Sequence, residues 1–147
     1  MVKYMYLLQF DGGSRGNPGL CAIGYAIFDD SILLAKDNMI VSKNNTNNFA
    51  EYSGLIKGLE HAISLEIKEL FVQGDSKIVI NQVQDIYRTN CEDLKPLYNN
   101  VLNLKKKFTS IDFEHIYRRD NIFADSLVND AYNRYNNNII RRDYVDF

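Results

Sequence analysis

The amino-acid sequence predicts a single α/β domain in which helices flank a five-stranded mixed sheet. Three β-like apolar runs come first, and helical and short β-like segments alternate after them, as a mixed sheet requires. The chain has 147 residues, an ordinary domain size, and no stretch rich in proline, glycine or serine divides it. We therefore expect residues 1–147 to fold as one domain with the element order β-β-β-α-β-α-α-β-α.

The first half of the chain predicts a three-stranded meander. Residues 3–10 are apolar on both alternating faces, which indicates a strand in the middle of the sheet. The run GGSRGNPG that follows is not expected to form a regular element. Two further β-like runs, CAIGYAIF and ILLAKDNMIV, complete the meander. The asparagine clusters at 44–48 and 136–138 indicate loops.

Helical and extended segments alternate in the second half, where apolar residues repeat at i, i+3, i+4 and i+7 in each predicted helix. We expect a helix after Asn47-Asn48, then the strand LFVQG, then a helix from Asp75-Ser76 to about Tyr87. A further helix is expected over about Glu92 to Phe108, with Pro96 in its first turn. A strand from Ile111 to Tyr117 and a last helix that begins at Asn121 follow. The tail NNNIIRRDYVDF forms either a short extra element or a disordered segment.

The composition excludes several classes of protein. With 46% hydrophobic and 24% charged residues, the chain is not collagen-like, mucin-like or fully disordered. No apolar run reaches the roughly 18 residues of a membrane helix, and the start lacks a secretory cleavage site, so we expect a cytoplasmic or nuclear protein that binds no membrane. Cys21 and Cys91 lie in no C-x-x-C pair, which predicts free thiols.

The charge balance argues against a strongly basic nucleic-acid binder. Lys and Arg number 17 and Asp and Glu 19, which gives a net charge of −2. A polyanionic partner must therefore be held by local patches or by metal ions that offset carboxylates. The lysines at 105–107 and the arginines at 141–142 are candidate patches, although a solvated helix face and a charged tail are the more ordinary explanations.

Four acidic residues lie at element boundaries: Asp11, Glu51, Asp75 and Asp125. Asp11 and Asp75 follow strands, and open α/β sheets bind ligands at strand ends. Helical spacing puts Glu51 on the flank that faces the sheet and Asp125 beside an apolar stripe. Each residue has an ordinary alternative role. Asp11 could form an Asp-Gly turn, and Asp75 could be a helix N-cap. Glu51 and Asp125 could pair with a helix dipole in the first turn.

Together the four carboxylates indicate a metal site, because crowded anions repel one another unless a cation lies between them. Oxygen ligands alone favour Mg²⁺ or Mn²⁺ over zinc. Paired ions of this kind commonly act on phosphate esters. The residues therefore predict metal-dependent phosphate chemistry if the four side chains meet in space.

Four runs resemble the motifs of the type-one ribonuclease H, or ribonuclease HI, family. They occur in the family's order over about residues 5–135 and are FDGGSRGNPG, TNNFAEYSGLIKGLEHA, VQGDSKIVINQV and RRDNIFADSLVNDA. The resemblance implies the ribonuclease H fold and an endonuclease that cuts the RNA strand of RNA–DNA hybrids, leaving 5′-phosphate and 3′-hydroxyl ends. It also implies two Mg²⁺ ions per site, with Mn²⁺ as a substitute, held by Asp11, Glu51, Asp75 and Asp125, with Asp11 between both ions.

The resemblance also implies contacts to the hybrid. Asn17, Asn47 and Asn48 match positions that reach the RNA strand near its 2′-hydroxyls, the group that distinguishes RNA from DNA. Plain turn chemistry is the alternative for these three asparagines. Thr46 resembles a residue that holds a phosphate of the DNA strand.

Four further positions match hybrid contacts of the family. Ser76 and Lys77 match positions that face the hybrid. The backbone amides of Gly12 and Gly13 can approach the sugar–phosphate because no Cβ intervenes.

The sequence departs from many relatives in two places. The segment Arg118-Arg119-Asp120-Asn121 stands where they carry a loop histidine, so we expect product release to differ and Arg118 or Arg119 to contact phosphate instead. His61 and His115 are expected to be structural. A non-basic segment, TNCEDLKPLY, takes the place of the basic handle helix, and we expect no additional N-terminal hybrid-binding domain. Hybrid affinity should therefore be modest and salt-sensitive.

Two other functions are compatible with this fold. A non-catalytic module that binds hybrids or double strands is disfavoured, because a binder gains nothing from four clustered anions. A DNA-directed nuclease of the same fold is disfavoured by the TNN and GNPG runs, which suit 2′-hydroxyls. A monomer without an organic cofactor is the default expectation.

Overall fold

The computed structural model describes residues 4–86, 88 and 91–145. These ranges contain five strands, four α-helices and a 3₁₀ turn at Arg118–Asp120. The strands are β1 (Tyr6–Arg15), β2 (Gly19–Asp29), β3 (Ile32–Asn45), β4 (Glu69–Gly74) and β5 (Ser110–His115), and the helices are α1 (Asn47–Ser64), α2 (Lys77–Val83), α3 (Lys95–Lys105) and α4 (Ile122–Val145). The predicted order of elements is confirmed.

The strands form one mixed sheet in the order β3-β2-β1-β4-β5. β1 pairs antiparallel with β2 and parallel with β4, and its central place confirms the interpretation of its two apolar faces. Leu8 and Phe10 of this strand have no exposed surface. The predicted α/β class with a five-stranded mixed sheet is therefore confirmed.

Helices α1 and α4 cover opposite faces of the sheet. Tyr25 of β2 belongs to the main core cluster with α1 residues, whereas Ala22 of the same strand packs with Val128 and Tyr132 of α4. The difference of three positions puts Tyr25 and Ala22 on different faces, because side chains alternate along a strand. No helix of the described residues is both long and apolar enough to span a bilayer.

The backbone of α1 lies in direct contact with the backbone of β1. A Cβ on Gly12 would stand 2.3 Å from the carbonyl oxygen of Ala50, and a Cβ on Gly54 would stand 2.5 Å from that of Asp11. Glycine is therefore the residue that lets these two elements approach. The approach brings Glu51, the neighbour of Ala50, alongside Asp11, the neighbour of Gly12.

The prediction that the run GGSRGNPG forms no regular element is wrong for the first half of that run. β1 continues through Gly12 to Arg15, which pairs with Leu20 of β2. The partner strand supplies hydrogen bonds that local sequence cannot reveal, and only Gly16, with φ of 81°, takes the left-handed turn conformation in this run. Similarly, β3 extends to Asn45 and α1 begins at Asn47, so the predicted 44–48 loop is reduced to Thr46.

The expected asparagine loop at 136–138 is also wrong, because α4 runs through it to Val145. No glycine or proline interrupts this segment, and each asparagine costs only about 0.7 kcal/mol in a helix. α2 ends at Val83, earlier than expected, and α3 occupies only the middle of its predicted range, with the proline in the first turn as expected. The predicted ends at Lys3 and Tyr87 lie outside the described residues.

Gly12→Ala should destabilise the fold, whereas Gly13→Ala should leave its stability nearly unchanged. An added methyl group on Gly12 meets the α1 backbone, and overpacking of this kind costs about 1–3 kcal/mol. A Cβ on Gly13 would find its nearest neighbour at 3.8 Å, an ordinary contact. Urea unfolding of the two variants measures the difference, and equal losses would contradict the account of α1 packing.

Candidate active site

Three carboxylates from three elements converge beside β1. Asp11 lies in β1, Glu51 in α1, and Asp75 directly after β4. Phe10 pairs with Gly74, so the strand register sets Asp11 and Asp75 side by side. The three side chains each offer an oxygen atom within 4.8 Å of the others. The structure thus brings together three of the four acidic residues that the sequence predicts.

Burial and mutual repulsion disfavour the charged forms of this cluster. Asp11 is 7% exposed and Glu51 is 3% exposed. Burial, with Asp75 as the next contributor, raises the pKa of Asp11 to about 7, although the Gly12 N–H donates a hydrogen bond to Asp11 Oδ1 at 2.8 Å. Burial and the charges of Asp11 and Asp75 raise the pKa of Glu51 well above its ordinary value.

The donor atoms of the cluster fit a hard divalent cation. Glu51 Oε1 is buried and has no hydrogen-bond partner among the described residues. Unpartnered buried oxygens are rare in folded proteins, and a cation satisfies them while it removes the repulsion. Because all the donors are carboxylate oxygens, the set suits Mg²⁺ or Mn²⁺ rather than zinc. The first-turn dipole explanation of Glu51 is wrong, since it is the fifth residue of α1.

Asp125 lines the same cleft without joining the three-residue cluster. The cleft has a volume of about 350 Å³, and all four predicted carboxylates line it. Asp125 lies in the first turn of α4, as expected, and its Oδ1 is 3.4 Å from Nη2 of Arg118. The Asp125 charge still acts on the cluster, because it contributes to the raised pKa of Asp11.

Asn121 is a site residue that the sequence interpretation missed. It has no exposed surface, and its Nδ2 donates to the Phe10 carbonyl oxygen at 2.9 Å and to Asp75 Oδ2 at 3.1 Å. The sequence indicated only that a helix begins there. The available signal was its place four residues before Asp125, one helical turn away.

The asparagines expected to contact RNA line a second cleft of about 700 Å³ with Thr46. Asn47 lines both clefts, so the two adjoin. Asn17 Oδ1 accepts a hydrogen bond from the Asn47 N–H at 3.0 Å, and Asn47 Oδ1 accepts one from the Ser14 N–H at 3.2 Å. The turn chemistry considered for Asn17 and Asn47 is therefore present, and Asn48 lines the cleft beside them.

The hydroxyl residues of the predicted substrate set both cap helices. Thr46 accepts from the Phe49 N–H and Ser76 from the Val79 N–H, so each is an N-cap. The N-cap explanation of Asp75 is therefore wrong. Ser76 and Lys77 line neither of the two clefts.

The two predicted glycine contacts differ in their surroundings. Both glycines line the acidic cleft. The place of a Cβ on Gly12 is filled by α1, and its N–H donates to Asp11, whereas a Cβ on Gly13 would make only ordinary van der Waals contacts, at 3.8 Å or more. Gly13 is therefore the less crowded of the two glycines. Gly12 is explained by packing.

The remaining candidates lie away from the acidic cleft. His61 Nδ1 shares a hydrogen bond of 2.6 Å with the Tyr25 hydroxyl, which fits the structural role expected for it, and His115 packs edge-on against Tyr117. Lys105 donates to the Val83 carbonyl oxygen at 2.9 Å. The side chains at 141–142 lie outside the described part of the chain. Both cysteines are free thiols, as predicted.

Comparison with known proteins finds a matching family and several similar sequences. Residues 9–131 match a family described as Reverse transcriptase-like. Ribonuclease HI of Halobacterium salinarum is 35% identical over 128 residues, 83% of this chain and 61% of that protein. The bifunctional protein Rv2228c of Mycobacterium tuberculosis is 39% identical over 127 residues, 85% of this chain. The chain spans 35% of the length of this mycobacterial relative.

Solved structures agree with these matches. The crystal structure of RNase H1 from Halobacterium salinarum has a TM-score of 0.85 and 33% identity, with 88% of this chain and 98% of that chain covered. The N-terminal RNase H domain of Rv2228c has a TM-score of 0.85 and 36% identity, with 91% and 97% covered. LC11-RNase H1 in complex with RNA/DNA hybrid has a TM-score of 0.83 and 32% identity, with 88% and 98% covered. The fold implied by the sequence motifs is confirmed.

Asp11→Asn should stabilise the metal-free chain, and the gain should grow with pH. The pKa of Asp11 is about 7 in the folded chain and ordinarily 3.8, so the folded state keeps a proton that the unfolded state has released. The stability from that proton is complete below pH 3.8 and is lost as pH rises through about 7. Asparagine has no such loss. At pH 8 in EDTA, we expect the free energy of unfolding of Asp11→Asn to exceed that of the wild type by about 1 kcal/mol or more. This corresponds to an unfolding midpoint about 2–4 °C higher.

The matched control is Asp130→Asn, which makes the same chemical change at an exposed position of α4. Its unfolding midpoint should follow the wild-type pH dependence. An Asp11→Asn midpoint that stays at or below the wild-type value at pH 8 would contradict the assignment of repulsion to this cluster.

Proposed function

This chain belongs to the ribonuclease HI family, and we propose that it is an endonuclease that hydrolyses the RNA strand of RNA–DNA hybrids, leaving 5′-phosphate and 3′-hydroxyl ends. The observation that carries the proposal is the cluster of buried Asp11, buried Glu51 and half-buried Asp75, which each offer an oxygen within 4.8 Å of the others. The relative solved with an RNA/DNA hybrid supports the same substrate class.

The four carboxylates would hold two divalent cations, with Mg²⁺ as the natural metal and Mn²⁺ as a substitute. Asp11 is central in the set, because its side chain is hydrogen-bonded to Glu51 and the charges of Asp75 and Asp125 both raise its pKa. We assign Glu51 and Asp75 to one side of Asp11 and Asp125 to the other. When bound, such ions activate a water for attack on the phosphate and neutralise the charge that develops on the leaving oxygen.

The protein itself supplies orientation and a partly desolvated cleft. Asp11 and Glu51 are carried by the mutually packed backbones of β1 and α1, which fix the backbone positions of the two residues close together. This rigidity keeps the charged groups preorganised for the transition state, which is the main source of electrostatic catalysis. A sugar–phosphate would approach them along the backbone of Gly12 and Gly13, which lines the same cleft.

The hybrid would lie across the two adjoining clefts. Asn47, which lines both, and Asn17 and Asn48, which line the second, would read 2′-hydroxyls of the RNA strand. Thr46 in the second cleft would hold a phosphate of the DNA strand. Of the hybrid-facing positions outside the clefts, Lys77 is exposed and can reach a backbone phosphate, with Ser76 beside it.

Arg118 is the better candidate for the place of the missing loop histidine. It lines the acidic cleft beside Asp125, whereas Arg119 lies over the ring of Tyr117 at 4.9 Å. An exposed ion pair contributes little to stability, so Arg118 is free to exchange Asp125 for a phosphate at small cost. Its guanidinium would then bind the phosphate through charge-assisted hydrogen bonds.

All the proposed site residues belong to one chain. We therefore propose that a monomer suffices for cleavage, without an organic cofactor. Size-exclusion chromatography combined with light scattering on the active protein tests the oligomeric part of this proposal. A cytoplasmic or nuclear location is a separate proposal, which rests on the sequence alone.

The purified chain should cleave an RNA–DNA duplex in Mg²⁺, and Asp11→Asn should reduce the rate about 100-fold or more. Loss of the central carboxylate removes a metal ligand and part of the transition-state stabilisation. A labelled hybrid resolved on a denaturing gel measures both effects, and Asp130→Asn should retain the wild-type rate.

Single-stranded RNA, RNA duplex and DNA duplex serve as substrate controls in that assay. Hybrid that is bound but intact in both Mg²⁺ and Mn²⁺ would indicate a non-catalytic binding module instead. Equal cleavage of the DNA duplex would indicate a DNA-directed nuclease of the same fold.

Arg118→Ala should lower kcat/KM on the hybrid by about 10-fold or more, because hydrogen bonds to charged groups contribute roughly 1.5–3 kcal/mol. Arg118→Lys should restore part of the loss by keeping the charge. Arg119→Ala is the matched control, with an expected change below twofold. Steady-state kinetics at two salt concentrations tests the pair, and equal effects of the two alanine variants would refute the assignment to Arg118.

A further inference from the structure

Asn121 lies between the segments that carry three of the four carboxylates. It occupies the junction between the 3₁₀ turn and the first residue of α4. Although such a junction is commonly exposed, its side chain has no accessible surface. A completely buried amide at this place needs an explanation beyond helix initiation.

One amide nitrogen connects the surroundings of Asp11 and Asp75. Asn121 Nδ2 donates to the Phe10 carbonyl oxygen at 2.9 Å and to Asp75 Oδ2 at 3.1 Å. Phe10 immediately precedes Asp11 and pairs with Gly74, the last residue of β4. The amide therefore ties Asp75, which has already left the sheet, to the strand that carries Asp11.

The main chain of the same residue connects to the fourth carboxylate. The Asp125 N–H donates to the Asn121 carbonyl oxygen at 3.1 Å, in the first turn of α4. Asn121 thus contacts the backbone beside Asp11, the side chain of Asp75 and the backbone of Asp125.

The partners of the amide fix its orientation. Both are oxygen acceptors, so the NH₂ group must face them and the amide oxygen must point away. Asn121 Oδ1 is consequently buried with no hydrogen-bond partner in the described part of the chain. The fold therefore accepts the cost of an unsatisfied Asn121 Oδ1 while both hydrogen bonds of the NH₂ group are made. This indicates that the NH₂ group is the part of the side chain that matters for function.

We propose that Asn121 is a positioning residue for the metal site, whose NH₂ group holds the Asp75 carboxylate where it can share a cation with Asp11 and Glu51. The inference rests on the proposed function, because it assigns a role within the same site. It predicts an effect on metal affinity, since groups that orient a ligand typically change affinity 10–100-fold when removed.

Asn121→Ala should require about 10-fold more Mg²⁺ than the wild type for the same rise in unfolding temperature above its own metal-free value, measured without substrate. The Mg²⁺ concentration for half-maximal hybrid cleavage should rise by a similar factor, with part of the activity recovered at high Mg²⁺. Asn121→Ser, which keeps one hydroxyl donor in a smaller side chain, should show an intermediate shift.

Tyr25→Phe is the control for simple loss of stability. It removes one hydrogen bond from a side chain that is 3% exposed and is bonded to His61 rather than to the site. This variant should unfold at lower temperature with an unchanged Mg²⁺ requirement. An Asn121→Ala protein that behaves in the same way, with a Mg²⁺ requirement within twofold of the wild type, would overturn the proposal.

A measurement on the wild-type chain covers variants that do not fold. The side-chain amide resonances of Asn121 should shift during a Mg²⁺ titration with the same midpoint as the backbone amide of Asp11. Resonances that do not move while those of Asp11 do would also overturn the proposal. If the wild type binds Mg²⁺ but leaves hybrid intact, the proposed function fails while these binding measurements still decide the role of Asn121.

Discussion

Helix α1 lies so close to β1 that a Cβ on Gly12 would overlap the Ala50 carbonyl group. This contact forces Glu51 against Asp11 and shields both from water, and the β1–β4 register adds Asp75 to the same place. The packed backbones place the three carboxylates close together, so in the charged form they repel one another. A bound proton or a bound cation relieves this repulsion, and the two compete for the same carboxylate oxygens.

The surrounding core supplies the stability that such a cluster removes. Leu8, Phe10, Tyr52 and Leu55 have no exposed surface and flank the charged residues along β1 and α1. Full burial of side chains of this size contributes about 1.5–3 kcal/mol each. The apolar packing therefore holds the carboxylates in a geometry that they would not adopt alone, and the same burial makes them strong ligands for a divalent cation.

Sequence patterns predicted the central strand and the sheet, because a strand that is apolar on both faces must be covered on both sides, as in the middle of a sheet. They also indicated the carboxylates, since acids at expected strand ends and on the inward flanks of helices are distinctive when four occur together. Asp11 was expected to end its strand, but it lies within β1, which continues to Arg15. They could not predict that Gly12 belongs to a strand, because its pairing depends on β2. Asn121 was missed for a similar reason: its partners, Phe10 and Asp75, are 111 and 46 positions away in sequence. Long-range register, rather than local preference, decides both cases.

The central claim is that Asp11, Glu51 and Asp75 jointly bind a divalent cation. Anomalous diffraction from a crystal soaked in Mn²⁺ tests it most directly, because the signal locates the metal without reference to activity. The account predicts a peak about 2.1–2.2 Å from an oxygen of Asp11 and bonded also to Glu51 or Asp75. A fully soaked crystal with no peak in this cleft, or with its only peak on other residues, would contradict it.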